Sequence, residues 1–175
     1  MFKRKKYELD AVKLYRSANS AILSTMSKKY EGYPFGSFIT YVSDKNRTLF
    51  MYTSDIAQHT INLKKNSKAC VTLFKLDTDY DKQNSSRLTL IGDLKAVPSD
   101  DLESCQERFV KFLPESKKYS SMHDFKFYKL EISMVRWIGG FRDIAWLDPK
   151  NWKDDLPKWS KSEQMMIDHM NDDHS

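Results

Sequence analysis

The clearest periodic pattern in the chain spans residues 128–134, which read Tyr128-Lys129-Leu130-Glu131-Ile132-Ser133-Met134. Apolar and polar residues alternate there with a period of two, as they do in a β-strand that buries one face. We therefore predict a half-buried strand whose core-facing side chains are Tyr128, Leu130, Ile132 and Met134. This stretch makes the chain a β protein unless the remaining sequence contradicts it.

Other short runs rich in β-branched and aromatic residues surround this strand. They cover residues 21–26, 38–42, 48–53, 69–76, 87–97 and 141–147. The turn-forming residues 43–46 separate two of these runs and predict a hairpin. The chain has no GxGxxG or GxxxxGK[ST] motif, which leaves a Rossmann or P-loop site without support. The pattern indicates a mainly β protein, an antiparallel β-barrel with peripheral helices.

Three helices are expected around these strands. Residues 8–19 place Leu9, Val12 and either Tyr15 or Arg16 at helical spacing. A second helix is predicted over 56–65, where Ser54 or Asp55 can cap the first turn. A third is predicted over 99–113, because acidic residues follow Ser99 and a proline follows residue 113.

Charge and cysteine usage limit the function classes. The net charge is +5, but 29 basic residues are spread among 24 acidic ones, so we predict no nucleic-acid partner. No apolar stretch reaches the ~20 residues of a membrane span, so no membrane partner is expected either. Cys70 and Cys105 are the only cysteines and form no CxxC element. This usage is typical of a reduced, cytoplasmic protein.

The chain is expected to contain one barrel domain over residues 1–148, including the short N-terminal helix. After Pro149 the composition shifts toward Asp, Lys and Trp. We therefore predict that residues 149–175 form a linker and the truncated start of a C-terminal helix, with Ser160 and Glu163 as its capping box.

Five motifs together resemble a known family. They are Gly-Tyr-Pro-Phe-Gly-Ser at 32–37, Thr-Ser-Asp-Ile-Ala-Gln-His-Thr-Ile-Asn-Leu at 53–63, Arg-Leu-Thr-Leu-Ile-Gly at 87–92, Asp-Phe-Lys-Phe-Tyr at 124–128 and Gly-Gly-Phe at 139–141. In this order they resemble the FMN-binding split barrels, which are similar to pyridoxamine 5'-phosphate oxidase, and specifically the HugZ-type haem-utilisation branch. The resemblance implies a homodimer that binds a flat redox cofactor in grooves between its two barrels.

The resemblance also implies where a cofactor would bind. The cationic positions that hold FMN phosphate in flavin-binding members fall here on Ser37, Val42, Gln58 and His59, while the accompanying pair is kept as Tyr52-Thr53. Loss of these cations should weaken FMN binding, and the change is similar to the haem-utilisation branch. The cofactor-binding residues predicted in this way are Ser37, Tyr52, Thr53, Gln58, His59 and Arg87.

Haem requires an iron ligand, cations for its propionates and apolar walls. Arg87 is the first candidate for a propionate, with Arg136 and Arg142 as further ones, although Arg87 could equally be a surface residue of an edge strand. The family implies an iron ligand after the last barrel strands, and residues 139–146 contain no histidine. His169 and His174 are therefore the candidate metal ligands.

Three functions remain open at this point. The preferred one is a haem-binding protein with oxidative haem degradation as an associated activity, which requires an electron donor that the sequence does not identify. The alternative is an FMN-binding oxidoreductase. The third is a non-catalytic cofactor-binding module that has kept the fold and lost the chemistry.

Overall fold

The computed structural model describes residues 2–76, 81–141 and 143–154. Its strands form one eight-stranded sheet. Their bounds are β1 Ser20–Met26, β2 Pro34–Thr40, β3 Val42–Ser43, β4 Leu49–Ser54, β5 Lys68–Lys75, β6 Ser86–Ala96, β7 Phe125–Ile138 and β8 Ile144–Leu147.

The strand order is β2-β1-β5-β6-β7-β4-β3, with β8 beside β7, and all neighbours are antiparallel. The strands at the two ends of this order, β2 and β3, are separated in the chain by Tyr41 alone. The sheet must therefore curl until its ends approach each other. The predicted hairpin at 43–46 joins β3 to β4, where Asp44 Oδ1 accepts a 2.7 Å hydrogen bond from the Thr48 amide. This topology confirms the mainly β, antiparallel barrel.

The helices lie around the barrel, as expected. Their bounds are α1 Phe2–Ser17, α2 Gln58–Lys65, α3 Leu102–Phe112 and α4 Pro149–Asp154. Helix α2 begins later than predicted, because the Ser54 hydroxyl donates to the Asp124 carboxylate and accepts from the Ile56 amide. No helix in the described ranges has both the length and the apolar character needed to cross a bilayer.

Helix α1 buries only part of the predicted face. Leu9 is 53% exposed, whereas Tyr7, Ala11, Leu14 and Tyr15 are buried in the barrel core. At 100° per residue, Leu9 lies about half a turn from Tyr7. The prediction for Leu9 was wrong because the helix starts earlier and its longer buried stripe is set by the sheet that it covers.

The main core fills the concave side of the sheet. It includes Leu23, Val71, Leu90 and Leu130, and α4 adds Trp152, which is completely buried beside Tyr15. Each such side chain stabilises the fold by about 1.5–3 kcal/mol through removal of apolar surface from water. The concave side is therefore occupied by core.

Strand β7 contains a bulge that changes which side chains face the core. Ile91 is opposite Met134 while Gly92 is opposite Ile132, so Ser133 is an extra residue. An extra residue shifts the alternation by one position. Tyr128, Leu130 and Ile132 are buried as predicted, but the prediction for Met134 was wrong, since it is 46% exposed. Beyond the bulge, Val135 and Trp137 are buried instead.

A glycine is required where β6 meets this bulge. A Cβ atom at Gly92 would lie 2.0 Å from the carbonyl oxygen of Glu131. Backbone cannot yield to such an overlap as a flexible side chain would. Gly92 thus permits the close approach of β7 that accommodates Ser133.

The convex side of the sheet carries an apolar surface open to solvent. We call it the outer face and define it by Phe38, Ile22, Cys70, Thr72 and Met134, which project from β2, β1, β5 and β7. Phe38 is the most exposed of these, at 71%. Contiguous apolar surface of this kind marks an interaction site more often than isolated exposed residues do.

Candidate functional site

Thr53 and His59 meet where β4 leads into α2. The Thr53 Oγ1 atom lies 2.6 Å from His59 Nε2 and 3.4 Å from Thr60 Oγ1. Thr53 and Thr60 are buried, and His59 is half-buried. Burial lowers the pKa of His59 below its ordinary value of 6.5. The imidazole is therefore neutral at physiological pH.

Asn62 is the centre of a second hydrogen-bonded group on the same helix and is completely buried. Its Nδ2 donates to Thr25 Oγ1 at 3.0 Å. Its Oδ1 accepts from Gln58 Nε2 and from the Lys28 amide, both at 2.9 Å. We call the set Thr25, Thr53, Gln58, His59, Thr60 and Asn62 the α2 network. Its hydrogen bonds join α2 to β1 through Asn62 and to β4 through His59 and Thr60. Of the predicted cofactor-binding residues, Thr53 and His59 bind each other, and Gln58 binds Asn62.

Tyr52 faces away from the α2 network although it precedes Thr53 in the chain. Its ring stacks on Phe127 with 4.2 Å between centroids, and its hydroxyl donates to the Tyr119 carbonyl at 3.2 Å. This side of β4 packs on a second apolar cluster beneath α3, which includes Val42 and Phe109. Burial, and then the nearby Asp124, raise the pKa of Tyr52. Alternation along β4 thus separates the Tyr52-Thr53 pair.

Ser37 lies on β2, half-buried, directly opposite Leu23 of β1. Val42, which occupies another cationic position of the flavin-binding pattern, is buried. Neither position therefore offers a positive charge to an anion near α2.

Two lysines near α2 form salt bridges with the same carboxylate. Asp55 contacts Lys126 Nζ at 2.6 Å and Lys64 Nζ at 2.9 Å. These hydrogen bonds from Lys126 and Lys64 lower the pKa of Asp55. One carboxylate shared by two ammonium groups leaves a net charge of +1, so the pairing reduces the positive charge available to an anion near α2.

Arg87 belongs to a different surface, on the convex side of the sheet. It begins β6 between Phe74 of β5 and Ile138 of β7, and its Nη1 donates to the Gln83 carbonyl at 3.3 Å. Within one chain it makes no contact with the α2 network among the described residues.

Arg136 lies beside Arg87 on this surface. It is opposite Thr89 on one side and Trp146 of β8 on the other, and its guanidinium carbon is 5.0 Å from the centre of the Trp146 ring. We call the group Arg87, Arg136, Phe74, Ile138 and Trp146 the arginine end of the sheet.

A glycine turn brings β8 back beside the arginine end. The Asn84 Oδ1 atom accepts a 3.0 Å hydrogen bond from the Phe141 amide. Gly140 has φ of +140°, and a Cβ there would lie 2.7 Å from Asn84 Oδ1. The Gly139-Gly140 motif is therefore a tight turn clamped by Asn84, and it returns the chain so that Trp146 reaches Arg136.

Candidate metal ligands are sparse in the part of the chain that the structure describes. It holds no group of three His, Cys, Asp or Glu side chains arranged to bind a metal ion. His59 is committed to the α2 network, and His123 is exposed. The predicted ligands His169 and His174, like the candidate Arg142, lie outside the described residues.

Sequence reasoning missed Thr25, Thr60 and Asn62 as members of the α2 network. The spacing of Gln58 and Asn62, one helical turn apart, was a usable signal for that pair. Thr25 joins from β1 and has no local signal. Trp146 was likewise not linked to Arg136, because the two meet only when β8 pairs with β7.

This topology and these surfaces define a split-barrel protein of the class that includes cofactor-binding members. The chain belongs to the CREG β-barrel family, whose model matches residues 4–154. The resemblance inferred from the sequence is confirmed at the level of this family, and the split-barrel fold is confirmed by the sheet topology.

Three relatives illustrate the range of this class. The chain is 28% identical over 159 residues to the "Non-canonical heme oxygenase HOZ, chloroplastic" of Arabidopsis thaliana, covering 87% of this chain and 48% of that protein. A heme binding protein from Mycobacterium smegmatis has a TM-score of 0.76 at 24% identity, over 84% of this chain and 60% of that one. A FAD-binding protein from Mesorhizobium loti has a TM-score of 0.57 at 12% identity, over 73% and 90%. The chain thus spans about half the length of its curated plant relative.

Proposed function

We propose that this chain is a haem-binding split-barrel protein, with oxidative haem degradation as its associated activity. The observation that carries the preference over FMN is the chemistry around α2. The positions where flavin-binding members hold phosphate carry Ser37, Val42, Gln58 and His59, and the nearby lysines are paired with Asp55. The naming of the plant relative as a heme oxygenase supports the same choice.

The surface chemistry of the chain fits haem better than it fits a phosphate. Haem combines an apolar macrocycle with two carboxylates, so it needs apolar walls and a few cations. The arginine end offers both, since Phe74 is about half exposed beside Arg87 and Trp146 is about half exposed beside Arg136. At the α2 network, by contrast, a phosphate would meet neutral groups, and these groups already make hydrogen bonds within the chain.

Each candidate residue has a role in this proposal. Arg87 would bind a propionate, and Ser37, Tyr52, Thr53, Gln58 and His59 would shape and support the pocket. His169 or His174 would bind the iron. Bound haem would supply an iron centre for oxygen chemistry, with electrons from an external donor. The protein's own contribution is to orient the macrocycle and to limit access of water.

A homodimer is part of the proposal, with the outer face as its interface. The exposed Phe38 ring and its apolar neighbours would be buried by a second copy, and the groove between the barrels would receive haem. Light scattering should give the mass of a dimer for the full chain, and of a monomer for Phe38→Asp. Phe112→Asp, an exposed phenylalanine on α3, is the matched control and should stay dimeric. A monomeric unchanged protein would contradict this interface.

The cytoplasm is the proposed compartment. Cys70 and Cys105 are both unpaired, and burial raises the pKa of the Cys105 thiol to about 12, which keeps it protonated and inert. Two unlinked cysteines are typical of proteins in reducing surroundings.

The test is an absorption spectrum of the purified full chain during parallel titrations with haemin and FMN. We expect a Soret band that saturates near one haem per chain, and a changed iron spectrum in His169→Ala or His174→Ala. Tight FMN binding with only nonspecific haemin uptake would make this an FMN-dependent oxidoreductase. Binding of haem without turnover in the presence of a reductant would support the non-catalytic module.

A further inference from the structure

Two guanidinium groups share the arginine end, and the strand register fixes how close they are. Arg87 of β6 is directly opposite Ile138 of β7, and Thr89 is opposite Arg136. Arg87 and Arg136 are therefore diagonal neighbours on one face, with about 7–8 Å between their backbones. Both side chains are long enough to reach the same bound molecule.

Neither arginine has its charge neutralised by the described residues. Arg87 donates to a backbone carbonyl, and Arg136 lies over the Trp146 ring, but neither pairs with a carboxylate there. Asp143, which follows the glycine turn, accepts a 2.8 Å hydrogen bond from the Tyr7 hydroxyl instead. Two like charges on adjacent strands repel each other, so an anionic ligand would relieve an unfavourable arrangement.

The surroundings of the two arginines include apolar side chains as well as the Thr89 hydroxyl, which lies opposite Arg136 and is hydrogen-bonded to Thr72 at 3.3 Å. Phe74 is 47% exposed and Trp146 is 53% exposed. Ile138 of β7 lies between Arg87 of β6 and Ile144 of β8. Trp146 also holds the Arg136 guanidinium in place by a cation–π contact. A single phosphate gains nothing from such walls, whereas a flat macrocycle with acidic substituents buries apolar surface and charge together.

We infer that Arg87 and Arg136 form a two-point clamp for the two carboxylates on one edge of a tetrapyrrole. This rests on the proposed haem function and deepens it, because it joins the two candidates Arg87 and Arg136 into one site, adds Trp146 as the residue that positions Arg136, and makes recognition depend on two free carboxylates. The clamp acts on the carboxylates alone, so it holds an iron-free porphyrin as well as haem. It also rejects porphyrins whose carboxylates are esterified.

The experiment measures the Kd of protoporphyrin IX and of its dimethyl ester by fluorescence with the full chain. The unchanged protein should bind the acid at least tenfold more tightly than the ester. Arg87→Gln and Arg136→Gln should each weaken binding of the acid about tenfold, the size expected for a lost charge-assisted hydrogen bond. Both variants should leave ester binding unchanged. Arg16→Gln, at the exposed end of α1, is the matched control and should bind like the unchanged protein.

Two results would overturn the clamp: equal affinity for acid and ester in the unchanged protein, or acid binding that neither variant weakens. If haemin still gives a saturable Soret band in those cases, haem binding stands without the clamp. If the acid binds through both arginines while haemin shows no iron ligation, the clamp stands and the haem function falls. Circular dichroism and thermal unfolding of each variant show whether the fold has survived.

Discussion

The α2 network and the arginine end place their polar groups in opposite surroundings. In the α2 network, Asn62 is completely buried and both ends of its amide are hydrogen-bonded. At the arginine end, two charged groups lie among partly exposed apolar rings and pair with no described carboxylate. In the α2 network the hydrogen bonds are made within the chain, whereas the arginine end has positive charge that can bind an anionic ligand.

This difference separates residues that support the fold from residues available for binding. Removing one member of a buried, fully hydrogen-bonded polar cluster lowers the stability of the fold, because its former partners are left buried without hydrogen bonds. An exposed cation without an ion pair contributes little to stability. The two regions should therefore respond differently to mutation, and stability and ligand affinity should report on different residues.

The largest expected effect is on Asn62. Asn62→Ala removes hydrogen bonds to Thr25, Gln58 and the Lys28 amide in a buried site, and should lower the free energy of unfolding by about 2–4 kcal/mol. Urea unfolding followed by circular dichroism measures the change. Asn46→Ala, in the exposed β3–β4 turn, is the control and should cost less than about 0.5 kcal/mol. Equal effects would mean that the α2 network is not a structural unit.

A smaller effect is expected from the titration of His59. Burial places its folded-state pKa below the unfolded value near 6.5. The unfolded chain therefore binds more protons as pH falls, and this stability, present above about pH 6.5, is lost below it. The slope is at most about 1.4 kcal/mol per pH unit, and less because His59 is only half-buried.

Urea midpoints at pH 7.5 and 5.5 test the His59 contribution. The unchanged protein should lose more stability over this range than His59→Gln, whose side chain does not titrate. His123→Gln, at an exposed position, should follow the unchanged protein. If His59→Gln and the unchanged protein show the same pH dependence, His59 is solvated and not part of a buried network.

The smallest effect on stability is expected at the arginine end. Arg87→Gln and Arg136→Gln should each change the free energy of unfolding by no more than about 0.5 kcal/mol, since neither side chain is buried or ion-paired. Urea unfolding without ligand measures this. A loss of 2 kcal/mol or more, estimated from the usual range for core changes, would make these arginines structural and remove the contrast with the α2 network.

The sequence was sufficient for the strands, because local alternation and turn residues specify them. Residues 128–132 alternate as predicted, and the runs at 21–26 and 87–97 match β1 and β6 closely. It was insufficient wherever a distant strand decides the outcome. The exposure of Met134 depends on a bulge that Gly92, far away in the chain, makes possible.

The same limit applies to the site. The adjacent pair Tyr52-Thr53 reads as one motif, yet strand alternation points the two side chains toward different clusters. Arg87 and Arg136 are far apart in sequence and become neighbours only through the pairing of β6 with β7. Motif spacing identifies residue types, whereas pairing across the sheet determines which of them share a surface.

The bulge at Ser133 sets which side of the sheet the rest of β7 faces. Without the bulge, strict alternation through Ser133 would place every later side chain on the opposite side: Trp137 would face solvent, and Arg136 would face the core. A relative with a strand of the same length but no bulge would therefore lack the arginine end even with both arginines present, whereas loss of Ser133 together with the bulge would keep it. Comparison of relatives should accordingly establish first whether the bulge is present, and then which residues follow it.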